Sequence, residues 1–78
     1  MGAVLDFRRR RNGDGQPVTR EIEILRYVAE GYGDAEIAQR LGLRTSFVTE
    51  SIESLLRKLD ARNRPHAVAI AFRRGLVS

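Results

Sequence analysis

Between Thr45 and Arg62 the chain concentrates side chains that form hydrogen bonds or carry charge. Thr45, Ser46 and Thr49 bring hydroxyls, Glu50 and Glu53 bring carboxylates, and Arg57, Lys58 and Arg62 bring cations. At about 100° per residue, the helical increment, Ser46, Glu50, Glu53, Ser54 and Arg57 fall opposite Val48. Such a stripe offers polar contacts to a partner surface and contains no catalytic constellation. The chain has no cysteine and one histidine. That excludes thiolate zinc sites, a cysteine nucleophile and most histidine-based catalysis. The expectation is therefore not an enzyme, with no cofactor, no metal and no small-molecule ligand. His66 is assigned no ligand.

Charge is distributed unevenly over the 78 residues. Residues 1–16 hold four Arg against two Asp, residues 17–56 hold four Arg against seven acids, and residues 57–78 hold five Arg and one Lys against one Asp. The net charges are +2, −3 and +5, giving the overall +4. An acidic middle between two basic ends suggests a polyanion, nucleic acid first, although a solvated soluble surface reads the same on charge alone. The longest apolar run is Ala67 to Phe72, too short to span a membrane. With no signal-peptide h-region either, the expected location is the cytoplasm, in association with the nucleoid.

The elements that would position the stripe are helices. Ile22, Leu25, Val28 and Ala29 recur at three- and four-residue spacing, with Thr19 as the expected N-cap and Gly31 as the end. Asp34 is expected to cap a second helix over Ala35 to Leu41, with Ile37, Ala38 and Leu41 inward and Gly42 as its stop. A third helix begins near Thr45 or Ser46, and Val48, Ile52, Leu55, Leu56 and Leu59 form its core face. Asn63 caps a fourth helix with Pro65 in its first turn; Ala67, Val68, Ala71 and Phe72 mark its apolar side, and Gly75 ends it. No strand pattern or repeat is present.

Helices two and three are separated by only Gly42, Leu43 and Arg44, the spacing of a helix-turn-helix. Ala38 is small at the crossing, Gly42 suits a left-handed turn, and Val48 closes the corner. In DNA-binding examples of this motif the second helix enters the major groove while the first crosses the backbone. The same corner also occurs in proteins that bind no DNA.

The residues in these positions resemble the LuxR/GerE-type, or NarL/FixJ-type, helix-turn-helix domain. Glu21-x-Glu23-Ile24-Leu25-x-x-Val28-Ala29-Glu30-Gly31 is similar to its first helix and Glu36-Ile37-Ala38-x-Arg40-Leu41-Gly42-Leu43 to its second. Val48 with Leu55-Leu56-Arg57-Lys58-Leu59 resembles its recognition helix, and Arg62-Asn63-Arg64-x-x-Ala67-Val68 the start of its fourth. The resemblance runs from about Pro17 to Val77. It implies an all-α, four-helix domain that binds double-stranded DNA and regulates transcription, often as a homodimer, with RNA polymerase as a further candidate partner. In many relatives this domain follows a receiver or a sensing domain; the expectation here is the stand-alone form, unless the sequence is an excised fragment.

Site expectations follow from the motif and the resemblance together. Thr45, Ser46, Thr49, Glu50 and Glu53 are assigned to base edges, and Arg57, Lys58 and Arg62 to phosphates. The free N–H groups at the starts of helices two and three add candidate phosphate contacts. The resemblance implies that at least one of positions 49, 50 and 53 is basic; here two are carboxylates. A carboxylate in the groove is repelled unless it accepts from a cytosine amino group, which would point to a G·C-rich site. The other reading is a Glu53–Arg57 pair at i, i+4 on a solvated face. Phe47 lies beside this stripe, where it would touch a thymine methyl, a protein partner or the edge of its own domain.

Helix four is apolar around most of its surface, which implies burial on a second side, against another chain. Val68, Ala69, Ile70 and Phe72 are the expected homodimer contacts, as the resemblance also implies. Residues 1–16 read as a flexible basic tail and 17–78 as the domain. Arg8, Arg9, Arg10 and Arg11 are either a minor-groove arm or a solvated run. Two other functions stay open: a protein-interaction module of the same fold, and the promoter-reading domain of a sigma factor.

Overall fold

The computed structural model describes residues 16–78. Four helices follow one another: α1 (Thr19–Ala29), α2 (Asp34–Leu41), α3 (Thr45–Leu59) and α4 (Arg64–Arg73). Among the described residues there is no strand and no helix long and apolar enough to cross a membrane. The all-α, four-helix expectation holds.

The helix starts differ from expectation by one residue. Thr19 and Asp34 are the first helical residues rather than caps, and Thr45 likewise opens α3. The N-cap positions fall on Val18, Gly33 and Arg44, none of which offers a side-chain acceptor to the helix. Glutamates at the third helical position compensate in two cases by reaching back. Glu21 Oε1 accepts from the Val18 amide at 3.0 Å, and Glu36 Oε1 accepts from the Gly33 amide at 3.0 Å. Each satisfies an amide at a helix start and places negative charge at the positive end of the dipole. Asn63 caps α4 as its side chain predicts, with Oδ1 accepting from the His66 amide at 2.9 Å.

The turn between α2 and α3 depends on Gly42. Its backbone is left-handed, with φ at 70°, which lets the Leu43 amide return to the Ala38 carbonyl at 2.8 Å, an oxygen that also accepts from the Gly42 amide. The open space around Gly42 would admit a Cβ, so it is backbone conformation, not crowding, that favours glycine here. Asp60 takes the same left-handed conformation after α3. The earlier break is held by aromatic contacts: Tyr32 meets Tyr27 edge-on at 5.4 Å and lies under the Arg40 guanidinium at 4.4 Å.

Two apolar clusters share α3. Val48 and Ile52 pack with Ile24, Ile37 and Ala38, which closes the α2–α3 corner as anticipated. Leu55 and Leu59 pack with Leu25, Ala67, Ile70, Ala71 and Val77. Leu56 is only half-buried. In α4 the inward residues are Ala67, Ile70 and Ala71, while Phe72 turns outward at 49% exposure. The expected apolar side named Phe72 and omitted Ile70. A helix with apolar residues all round carries no period to choose a face, so packing against α1 and α3 chooses it.

An ion pair lies across the inner seam between α1 and α3. Lys58 Nζ donates to both oxygens of Glu21, at 2.9 and 3.1 Å, with side-chain exposures of 11% and 9%. Glu21 thus holds the start of α1 and the end of α3 at once. Removing one member of a buried pair strands the other charge, at a cost of about 3–5 kcal/mol. Lys58→Met is expected to lower the urea-unfolding free energy by about that much, with the change read as a shift in midpoint at constant slope. A loss below about 1 kcal/mol would mean the pair is not a structural tie.

Candidate nucleic-acid interface

The outward side of α3 is open. Thr45, Ser46, Phe47, Glu50, Glu53 and Arg57 are all exposed, while Val48, Ser51, Ile52, Leu55 and Leu59 on the inner side are buried. The burial of the inner side fixes which residues look out, because one face of an α-helix cannot turn without exposing the other. No acidic residue stands in the first turn of α3, so its N-terminus keeps its positive end unneutralised.

The start of α2 is different. Its first turn carries Asp34 and Glu36, and Glu36 already occupies the Gly33 amide. Here the Glu36 carboxylate already accepts from an amide at the helix start and competes with a phosphate for that end.

Asp34 joins three helices. Arg64, at the start of α4, grips it through both terminal nitrogens, at 2.7 and 3.0 Å. Thr49 of α3 donates its hydroxyl to Asp34 Oδ2 at 2.6 Å. The bidentate Arg64 hydrogen bonds, helped by the Thr49 hydrogen bond and the guanidinium charge, hold the Asp34 carboxyl below its ordinary value of 3.8, against the opposing effect of burial. The same pairing, with Glu53 adding its charge nearby, raises Arg64. Thr49 is consequently half-buried, with its proton directed inward.

The expected phosphate contacts divide. The Arg57 and Arg62 guanidinium-bearing residues are exposed, and the Arg62 amide is fixed by donation to His66 Nδ1 at 3.0 Å. Lys58 is a correction: its ammonium faces Glu21 inside the domain, not the outer face of α3. Glu53 and Arg57 form no ion pair with each other; among the described residues the pairs are Arg20–Glu23, Lys58–Glu21 and Arg64–Asp34. Of the expected dimer residues, Phe72 and Ala69 are exposed, Val68 is half-buried, and Ile70 lies in the core at 8% exposure, a second correction. Arg8 to Arg11 lie outside the described residues.

Sequence reasoning missed Asp34 and Arg64 as partners. They are 30 positions apart, and no local spacing signals such a contact.

Residues 19–71 match the model of a family described as bacterial regulatory proteins, luxR family. The chain belongs to the luxR family. It is 36% identical over 63 residues to the transcriptional regulatory protein YxjL of Bacillus subtilis, covering 80% of this chain and 29% of that protein. It is equally identical over 63 residues to the transcriptional regulatory protein DesR of the same organism, covering 80% of this chain and 32% of DesR. The response regulator protein VraR of Staphylococcus aureus is 36% identical over 58 residues, 74% of this chain and 28% of VraR. The chain thus spans under a third of the length of these relatives. Its helix-turn-helix is thus that of a family of bacterial regulatory proteins.

The Asp34 junction has a pH signature. A carboxyl held low in the folded state adds stability above its unfolded value, and that stability is lost as pH falls through the folded value. Asp34→Asn is expected to be less stable than the wild type by about 1–2 kcal/mol at pH 7, the scale of hydrogen bonds to a charged group partly open to solvent. The gap should narrow as the pH drops below about 4, as read by urea titration at pH 7, 4 and 3. A gap independent of pH would contradict the ionic account.

Proposed function

We propose that this domain binds duplex DNA with α3 in the major groove and regulates transcription as a homodimer. The carrying observation is the exposure of Ser46, Glu50, Glu53 and Arg57 along one side of α3, opposite two apolar clusters that hold its other side in place. That geometry presents a rigid helix at the corner of a helix-turn-helix, the arrangement that fits the groove.

In this reading Thr45, Ser46, Thr49, Glu50 and Glu53 face base edges. Arg57 and Arg62 contact phosphates and fix the register without carrying sequence information. Glu50 and Glu53 are acceptors only, so they favour the amino groups of cytosine or adenine. Ala69 and Phe72, with the edge of Val68, form the contact with a second copy. The exposed ring of Phe72 is the largest apolar side chain on α4 that the core leaves uncovered. Two copies related by a two-fold axis would read a palindromic site.

Selection from random duplexes, followed by salt titration of the best sequence, tests the reading. Arg57→Ala and Arg62→Ala should each reduce the log–log salt slope by about 0.9, the contribution of one phosphate. On a palindromic site the wild type should load two copies cooperatively, and Phe72→Glu should load them independently, as read by band shift. Failure to enrich any duplex at low salt would defeat the DNA reading and favour a protein-interaction module of the same fold.

A further inference from the structure

We propose that Asp34 is a specificity-determining residue that acts through Thr49, restricting the middle of the α3 readout strip, positions 49, 50 and 53, to hydrogen-bond acceptors and so to bases that present an amino group. This deepens the DNA reading and rests on it. The inference starts from one proton. Thr49 has a single hydroxyl hydrogen, and it is donated to Asp34 Oδ2 at 2.6 Å. Asp34 is in turn held by both Arg64 nitrogens, an arrangement that keeps the carboxylate ionised and therefore able only to accept. The Thr49 hydroxyl cannot reverse its direction while that carboxylate stands beside it.

What remains for an outside partner at Thr49 is the oxygen lone pairs. The next polar side chains along the strip, Glu50 and Glu53, also offer only oxygens, and both are exposed. Arg64, the cation near Glu53, is occupied by Asp34. The middle of α3 thus presents acceptors at 49, 50 and 53. In the major groove the amino groups are cytosine N4 and adenine N6, whereas guanine and thymine present acceptor oxygens and guanine N7. Acceptor facing acceptor leaves two desolvated groups unpaired, which is costly. Asp34 thus acts as a positioning residue for the hydroxyl and needs no contact with the base.

The test is selection from random duplexes with the wild type, Thr49→Val, Asp34→Ala and Arg64→Ala, each first confirmed folded by its melting transition. The wild type should prefer cytosine or adenine at a position where Thr49→Val, similar in shape but without the oxygen, loses about five- to tenfold of the preference. Asp34→Ala lets the hydroxyl rotate and should admit guanine or thymine there, with the rest of the motif unchanged. Arg64→Ala keeps the Thr49–Asp34 bond and should keep the wild-type preference. Should Asp34→Ala not fold, Thr49→Ser replaces it: serine keeps the directed proton and should select as the wild type does. An unchanged motif with Asp34→Ala, an Arg64→Ala motif shifted in the same way, or identical selections by Thr49→Ser and Thr49→Val would overturn the proposal. A wild type that selects a clear motif insensitive to position 49 leaves DNA binding standing and removes this inference alone; a wild type that selects nothing removes both.

Discussion

Helix α3 has to satisfy two apolar clusters along one side, and the rest of the domain is arranged around that demand. Val48 and Ile52 close the corner with α2 and the first half of α1, while Leu55 and Leu59 complete the cluster with α4 and the C-terminal Val77. Neither cluster is large, so neither tolerates rotation of the shared helix. A turn of α3 about its axis would pull buried aliphatic side chains into water in both places, at a cost of about 1.5–3 kcal/mol for each one fully exposed. The outward stripe is therefore positioned by residues that never face outward.

Charge is used in two opposite ways on this scaffold. Glu21 and Asp34 take Lys58 and Arg64 into internal contacts, tying α1 to α3 and joining α2, α3 and α4. Both acids stand in the first turn of a helix, where negative charge is favoured by the dipole as well as by the partner cation. Arg57 and Arg62 stay exposed, as do Glu50 and Glu53. Net charge by itself would not separate these groups: a lysine of the same formal charge as the exposed arginines is a structural tie, and a threonine on α3 has its proton turned inward.

Membership of the luxR family places these contacts in a known kind of domain, and relatives such as DesR and VraR carry a matching segment within chains more than three times as long. The two exposed carboxylates at Glu50 and Glu53 give the outward side of α3 in this chain its own chemistry. Together with the Asp34–Thr49 bond they make the middle of α3 acceptor-rich; in the proposed DNA reading, base preference and attraction to phosphates would then come from different residues.

Much of this was legible in the linear chain, because helices declare themselves through local spacing. The four helices, the Gly42 turn, the Asn63 cap and the inner face of α3 all follow from contacts within a few positions of each other, as does the open stripe opposite Val48. Tertiary structure decided what spacing cannot carry. It turned α4 so that Ile70 is inside and Phe72 outside, since an apolar sequence on every side of a helix leaves its orientation to its neighbours. It also drew Lys58 to Glu21 across 37 positions and Arg64 to Asp34 across 30, because a long charged side chain takes the partner that the packed helices bring within reach.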